Sequence, residues 1–282
     1  MRPPFEKVAI VGVGLIGGSL GLAIRKRRLA KLVMGVVRRR KTGAEALRKK
    51  AVHGATLSLK EGVRGADLVL LCSPVSVILE QMKGLKRLLA PGALVVDVAS
   101  TKVLVNHAAA KYLKGTRFAG AHPMAGSFHK GPRFAEADLF EGTVCYLTNF
   151  DPEAERFWRA LGAKTFYLTP ERHDEWVART SHLPHVLAFS LFQSENLKKL
   201  GRAGLEATNP SIRDMARLSK SDPRLWADIL LSNKSQIVEA LNEYGKSVLK
   251  LKKALSSGNT RAIEKFIHQA NSVSHKLAPK VV

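Results

Sequence analysis

Cysteine is scarce, with only Cys72 and Cys145 in 282 residues. Two thiols cannot staple a small secreted scaffold. Both lie in apolar, strand-like runs, so buried free thiols in a reducing cytoplasm are expected. No apolar stretch approaches the roughly 20 residues that a membrane-spanning helix requires. No signal-peptide pattern precedes the first apolar run, which begins at Val8. Acidic residues are also few: 23 Asp+Glu face 46 Lys+Arg, a formal net charge of +23. Such a field attracts anions. The clusters Arg25–Arg28, Arg38–Lys41 and Arg48–Lys50 come without a nucleic-acid-binding motif or interleaved aromatics, so most of them read as solvated surface and no nucleic-acid partner is expected. No metal ligands are assigned.

What is present is a clear alternation. Apolar strands are predicted at Lys7–Val11, Leu32–Val37, Asp67–Cys72, Leu94–Val98, Phe118–Ala121, Val144–Leu147 and Thr165–Leu168. Helical periods lie at Leu15–Lys26, Thr42–Ala51, Val75–Leu89, Lys102–Tyr112 and Pro152–Leu161. This order predicts an α/β fold with a Rossmann-type, doubly wound, mostly parallel sheet. After Thr169-Pro170 the strand signal stops. Glu171–Leu200, Ser211–Leu218, Pro223–Leu255 and Arg261–Leu277 are helical in period, with breaks at Gly201/Gly204, Asn209-Pro210 and Gly258-Asn259. The expected organisation is a dinucleotide-binding domain over residues 1–169 and an all-helical domain over 170–282. The chain ends soon after the last helix, so no further regulatory module is expected.

The first strand runs into Gly12-Val13-Gly14-Leu15-Ile16-Gly17, a GxGxxG at a strand-to-helix junction. The first glycine permits the tight turn, the second admits a pyrophosphate, the third allows close helix packing, and the helix N-terminus supplies amide donors. In this context the motif reads as a dinucleotide site. The candidate cofactor contacts are Gly12, Gly14, Leu15, Ile16, Gly17 and Arg38, together with Ser73 and Pro74 after the strand that ends at Cys72. At the end of the second strand an NAD site usually carries an acid for the ribose hydroxyls. Here Val37-Arg38-Arg39-Arg40 stands instead, so NADP is favoured, with NAD as the alternative.

Further motifs lie downstream: Asp97-Val98-Ala99-Ser100-Thr101-Lys102, His122-Pro123-Met124-Ala125-Gly126-Ser127, Ser181-His182-Leu183-Pro184-His185, and Arg213-Asp214-Met215-Ala216-Arg217 leading into Ser221-Asp222-Pro223-Arg224-Leu225-Trp226. With GLIGGSL after the first strand, these motifs in this order resemble the prephenate/arogenate dehydrogenase family of tyrosine biosynthesis, from the first strand to about residue 230. The resemblance implies oxidative decarboxylation of prephenate or arogenate in a cleft between a Rossmann domain and a helical dimerisation domain. The products would be 4-hydroxyphenylpyruvate or tyrosine, and the protein a homodimer through its helical part. It implies His122 as the catalytic base at the ring hydroxyl, with Ser100 sharing that hydroxyl. Arg217 would bind a carboxylate of the dicarboxylate substrate, with Arg213, His185 and Ser181 nearby. Such chemistry needs a proton acceptor and fixed cationic donors, and these residue types supply both. His182 reads as structural, Asp97 and Lys102 as loop-holding residues, and Trp226 as core or cleft. One departure stands out: after HPMAGS the family commonly has an acid, yet Phe128-His129-Lys130-Gly131-Pro132 follows here. An ionic gate between that loop and the helical part is therefore in doubt.

Two other readings compete. A two-domain hydroxyacid or imine-type reductase would share the layout but would not need HPMAGS beside DxxSxK. A basic nucleic-acid-binding protein on a dehydrogenase scaffold would bind with steep salt dependence and would not need His122.

Overall fold

Strands buried on both faces read as continuous apolar runs, because helices cover both sides of a parallel sheet. That is the pattern of β1 (Phe5–Val11), β4 (Leu68–Leu71) and β5 (Leu94–Asp97), where every residue of β4 and β5 is buried. The computed structural model describes residues 4–126, 129–195 and 210–277. Ser127, Phe128 and the helix breaks at Gly201, Gly204 and Asn209 lie outside them.

The remaining strands are β2 (Ala30–Val36), β3 (Gly54–Thr56), β6 (Arg117–Pro123), β7 (Val144–Thr148) and β8 (Lys164–Tyr167). They form one eight-stranded sheet in the order β3-β2-β1-β4-β5-β6-β7-β8. All pairs are parallel except β6 with β7. The order reverses between β1 and β4, which is where doubly wound sheets open a ligand crevice at their carboxyl edge. Because β1, β4, β5 and β6 run in one direction, the segments after Val11, Leu71, Asp97 and Pro123 all emerge at that edge.

Helices α1 (Leu15–Lys26), α2 (Arg40–Arg48), α3 (Leu59–Val63), α4 (Val75–Leu85), α5 (Val103–Tyr112) and α6 (Pro152–Ala160) cover the sheet. Two buried clusters result. One centres on Ile10, Leu20, Ile24, Leu70, Phe140 and Trp158, and the other on Val11, Leu71, Ile78, Met82, Leu85 and Val95. Each fully buried side chain of this size contributes about 1.5–3 kcal/mol of transfer free energy. Cys145 is buried and Cys72 half-buried; both are free thiols, with burial pushing their ionisation up.

The helical part opens with α7 (Pro170–Val177), whose start is set by Thr169, its hydroxyl accepting from the Arg172 amide, and by Pro170 in the first turn. The single long helix expected from residue 171 is instead interrupted. A π-helical turn over Ala178–His182 separates α7 from α8 (Leu183–Gln193). Then come α9 (Pro210–Ser219), α10 (Pro223–Ser232), α11 (Lys234–Ser256) and α12 (Thr260–Leu277). The helix expected over 223–255 is likewise broken, at Asn233. The chain divides into two compact units, the first ending at Lys234 and the second beginning at Ser235.

Candidate active site

The glycine turn joins three strands. Gly12 sits at φ 99°, a region open to glycine, and its amide donates to the Val36 carbonyl at 2.9 Å. A Cβ on Gly12 would meet the Cys72 carbonyl and the Ser73 hydroxyl at 2.8 Å, so the turn lies against the end of β4. Gly17 lets α1 approach the turn: a Cβ there would come within 2.2 Å of the Gly12 carbonyl oxygen. Gly14, by contrast, faces open space, with nothing within 4 Å of a built Cβ. The N-terminus of α1, at Leu15 and Ile16, carries no side-chain cap and no acid in its first turn. An open cradle of unclaimed amide donors under a glycine fits a dinucleotide pyrophosphate.

Arg38 is exposed, two residues beyond the carbonyl that holds Gly12. The α2 helix begins just after it, again without a side-chain cap or an acid in its first turn. Ser73 is half-buried and receives a hydrogen bond from Gln81 at 3.3 Å, while Pro74 is exposed at the head of α4. The structure therefore gathers Gly12, Gly14, Leu15, Ile16, Gly17, Ser73 and Pro74 at one end of the sheet, with Arg38 at the neighbouring strand end.

The other half of the crevice is built on β5 and β6. Asp97 pairs in register with Gly120, which sets Ser100 and His122 at adjacent strand ends. Ser100 is half-buried and His122 almost wholly buried, at 9% exposure. Beneath them lies an ion pair sealed from solvent: Lys102 Nζ donates to Asp97 and, at 2.8 Å, to the Ala121 carbonyl. The pair holds the end of β6 against β5, a load-sharing role consistent with Asp97 and Lys102 acting on the loop. Burial raises the Asp97 carboxyl, and the Lys102 ammonium opposes that rise.

His122 Nδ1 lies 2.9 Å from His173 Nε2, and His173 Nδ1 lies 2.8 Å from Asp174 Oδ1. Burial holds the His122 imidazole well below the usual histidine range, with His173, Lys102 and His182 adding to the effect. The ring is therefore neutral near pH 7, as a proton acceptor must be. His173 is pushed down by burial in the same way.

His185 and Trp226 stack at 3.8 Å between ring centroids, and Trp226 is itself buried. His185 Nδ1 donates to the Ser181 carbonyl at 2.9 Å, so Ser181 orients this ring through its backbone. Burial depresses the His185 imidazole, and Arg217 acts on it in the same sense. Arg217 and Arg213 lie exposed on α9, which packs against α8. His182 is buried, with its ring pushed down to about 4 by burial. It faces Asn233, whose amide also donates to the Asp174 carbonyl at 2.8 Å.

Sequence reasoning missed His173, Asp174 and Asn233. A histidine-aspartate pair early in a polar helix looks like ordinary helix-start chemistry. Asn233 was hidden inside one long helical period. The burial of both members of the pair is the signal, and only the fold reveals it. Among the described residues there is no group of three or more His, Cys, Asp or Glu arranged to hold a metal. No helix among them is long and apolar enough to cross a membrane.

Comparison with known proteins places this geometry in context. The family pattern described as the nucleotide-binding domain of prephenate dehydrogenase matches residues 20–167, and the one described as its dimerization domain matches residues 169–269. The prephenate dehydrogenase of Lactococcus lactis subsp. cremoris is 30% identical over 272 residues, covering 95% of this chain and 76% of that one. A crystal structure of A. aeolicus prephenate dehydrogenase with hydroxyphenyl propionate and NAD+ matches at a TM-score of 0.85 and 27% identity, covering 97% of this chain and 98% of that one. Synechocystis arogenate dehydrogenase matches at a TM-score of 0.80 and 29% identity, over 96% and 100% of the two chains.

Proposed function

Because this chain belongs to the prephenate/arogenate dehydrogenase family, we propose that it oxidatively decarboxylates prephenate or arogenate, with NADP preferred over NAD. The observation that carries the reading is a neutral, buried His122 beside Ser100 at the carboxyl edge of the sheet that also carries the glycine cradle. A nicotinamide dinucleotide held on Gly12, Gly14, Leu15, Ile16 and Gly17, with Ser73 and Pro74 alongside, would supply the hydride acceptor. His122 takes the proton of the ring hydroxyl, and Ser100 hydrogen-bonds the same oxygen. The ring carboxylate leaves as CO2, and its bonding electrons aromatise the ring. His122 then returns its proton to the phenolate oxygen, so the residues finish as they began. Arg217 holds a substrate carboxylate, Arg213 adds charge beside it, and His185, fixed by Ser181 and Trp226, lines the substrate side. In functional terms residues 1–169 bind the dinucleotide and residues 170–282 complete the substrate site and the dimer.

The preference for NADP rests on Arg38, exposed at the end of β2, and on the acid-free start of α2. One charge-assisted contact to a 2′-phosphate contributes about 1.5–3 kcal/mol, or roughly ten- to a hundredfold in kcat/KM. The homodimer reading draws support from apolar side chains left at the surface: Leu231 is 73% exposed, and Val248, Leu249, Ile267 and Val273 are exposed on α11 and α12. A monomeric mass by light scattering at micromolar concentration would overturn it. A cytoplasmic location belongs to the same reading, and the two free thiols suit a reducing compartment.

The test is steady-state turnover with prephenate and arogenate, each with NAD and NADP, in the parent, His122→Asn and Arg38→Ala. Activity with at least one substrate is expected, reduced about 10²–10⁴-fold in His122→Asn while cofactor still binds. No turnover in the parent sinks the assignment. A parent favouring NAD, or an unchanged cofactor ratio in Arg38→Ala, sinks the cofactor preference.

A further inference from the structure

Helix α5 has no side-chain cap of its own. The backbone amides of Lys102 and Val103 at its start are instead taken by Asp174 of α7, at 2.7 Å to Oδ1 and 2.9 Å to Oδ2. Both are obligatory donors, so the Asp174 carboxylate is committed as an acceptor on both oxygens, and the helix N-terminus favours its negative charge. Oδ1 also meets His173 Nδ1. Since that oxygen only accepts, His173 must carry its proton on Nδ1. A neutral His173 then presents a bare Nε2, and the atom facing it, His122 Nδ1, must be the donor. One end of the chain is fixed by backbone N–H groups, and each link dictates the next.

We propose that His173, oriented by Asp174, is the positioning residue that holds His122 as its Nδ1–H tautomer and so leaves the Nε2 lone pair as the proton acceptor of the site. The inference rests on the reading of His122 as the base. When the substrate O–H breaks, its proton joins His122 Nε2 and the O–H electron pair stays on oxygen. Nδ1–H then hydrogen-bonds His173 as part of an imidazolium, with Asp174 stabilising the new charge through the chain. A protonated His173 would reverse the order and put the proton on His122 Nε2, which could not act as base. The groups facing the histidine pair are Asp97 of β5, Lys102 before α5, Cys145 and Tyr146 of β7, Asp174 of α7 and His182 of the π-helical turn. Burial, with Lys102 adding to it, holds the His173 imidazole below the usual histidine range against the opposing pull of Asp174 and Asp97.

Nitrogen-15 NMR of the full chain labelled at histidine reads the tautomer directly and without substrate, with the His122 signals assigned by their loss in His122→Asn. The Nδ1–H form is expected in the parent, a mixture in His173→Leu, and the Nε2–H form in Asp174→Asn, whose amide can donate to His173 and invert the chain. In turnover, His173→Leu should lose roughly a hundredfold in kcat with the KM for dinucleotide unchanged. His173→Gln, whose Oε1 can accept from Nδ1–H, should recover most of that loss. Should Asp174→Asn fail to fold for want of the α5 cap, the two His173 variants decide the matter. An Nε2–H tautomer in the parent, or equal kcat in His173→Leu and the parent, overturns the proposal. Undiminished turnover in His122→Asn would instead strike the reading of His122 as base, and the tautomer measurement would still stand on its own.

Discussion

Lys130 and Asp222 are ion-paired, tying the loop after β6 to the first residue of the α10 start. The sequence lacks the family's acid in that loop and put an ionic link there in doubt. The structure supplies one in which the loop carries the cation and the helix start the acid. Asp222 also caps α10, its Oδ1 accepting from the Leu225 amide at 2.7 Å.

These two roles of Asp222 separate by mutation. Lys130 is 68% exposed, and its pair is screened by water, so Lys130→Ala should cost no more than about 1 kcal/mol. Asp222→Ala removes the cap as well, a loss of about 0.5–2 kcal/mol. Urea denaturation should rank Asp222→Ala as the less stable variant. The opposite order would mean that the ion pair, and not the cap, holds the helix start.

The glycines of the turn divide in the same way. A methyl on Gly17 meets backbone, whereas one on Gly14 meets nothing in the protein. Gly17→Ala should therefore lower Tm by several degrees, as expected for a core overpacking cost of about 1–3 kcal/mol. Gly14→Ala should leave Tm within about a degree, because surface substitutions stay within ±0.5 kcal/mol, yet weaken dinucleotide binding. Equal Tm losses in the two variants would contradict the geometry.

Arg217→Ala should raise KM for the dicarboxylate roughly ten- to a hundredfold, the equivalent of one charge-assisted contact. KM for the dinucleotide should barely change. An unaltered substrate KM would leave Arg217 without a place in the site.

Acid should destabilise the protein through its histidines. His122, His173 and His182 are all held below the ordinary value of 6.5, His182 at about 4. Their folded values lie below their unfolded ones, so the unfolded chain binds more protons in the interval. Stability is then full above about pH 6.5 and falls as the pH drops toward 4. Asp97, raised by burial, works against this trend as a single group. Urea midpoints at pH 7.5 and 5 test it; an equal or higher midpoint at pH 5 would be the wrong sign.

Local patterns made most of the fold legible. Apolar runs marked β1, β4 and β5, and the GxGxxG marked the β1–α1 turn, because each signal is contained in a few neighbouring residues. Strand β3 and helix α3 were missed: a three-residue strand of Gly54, Ala55 and Thr56 carries no apolar run. The site residues on motifs, such as His122 and His185, could be named from sequence. Their partners could not. His173 stands 51 residues from His122, and Asn233 lies 59 from Asp174. Hydrogen-bond wiring over such separations depends on the packing of α7 and α10 against the sheet edge, which no local period encodes.

The π-helical turn at Ala178–His182 has a consequence for chain length. Each residue of an α-helix advances about 100° around the axis, and a π turn acts as one residue inserted into that count. Deleting exposed Thr180 would remove that extra residue and let the stretch close as ordinary α-helix. The side chains of α8 would keep their phase, with His185 still on the face of Trp226. A deletion inside α8 itself, before His185, has no such slack and would turn His185 by about 100° around the axis. The π-helical stretch should therefore tolerate loss of Thr180 better than the α-helical turns on either side tolerate a deletion.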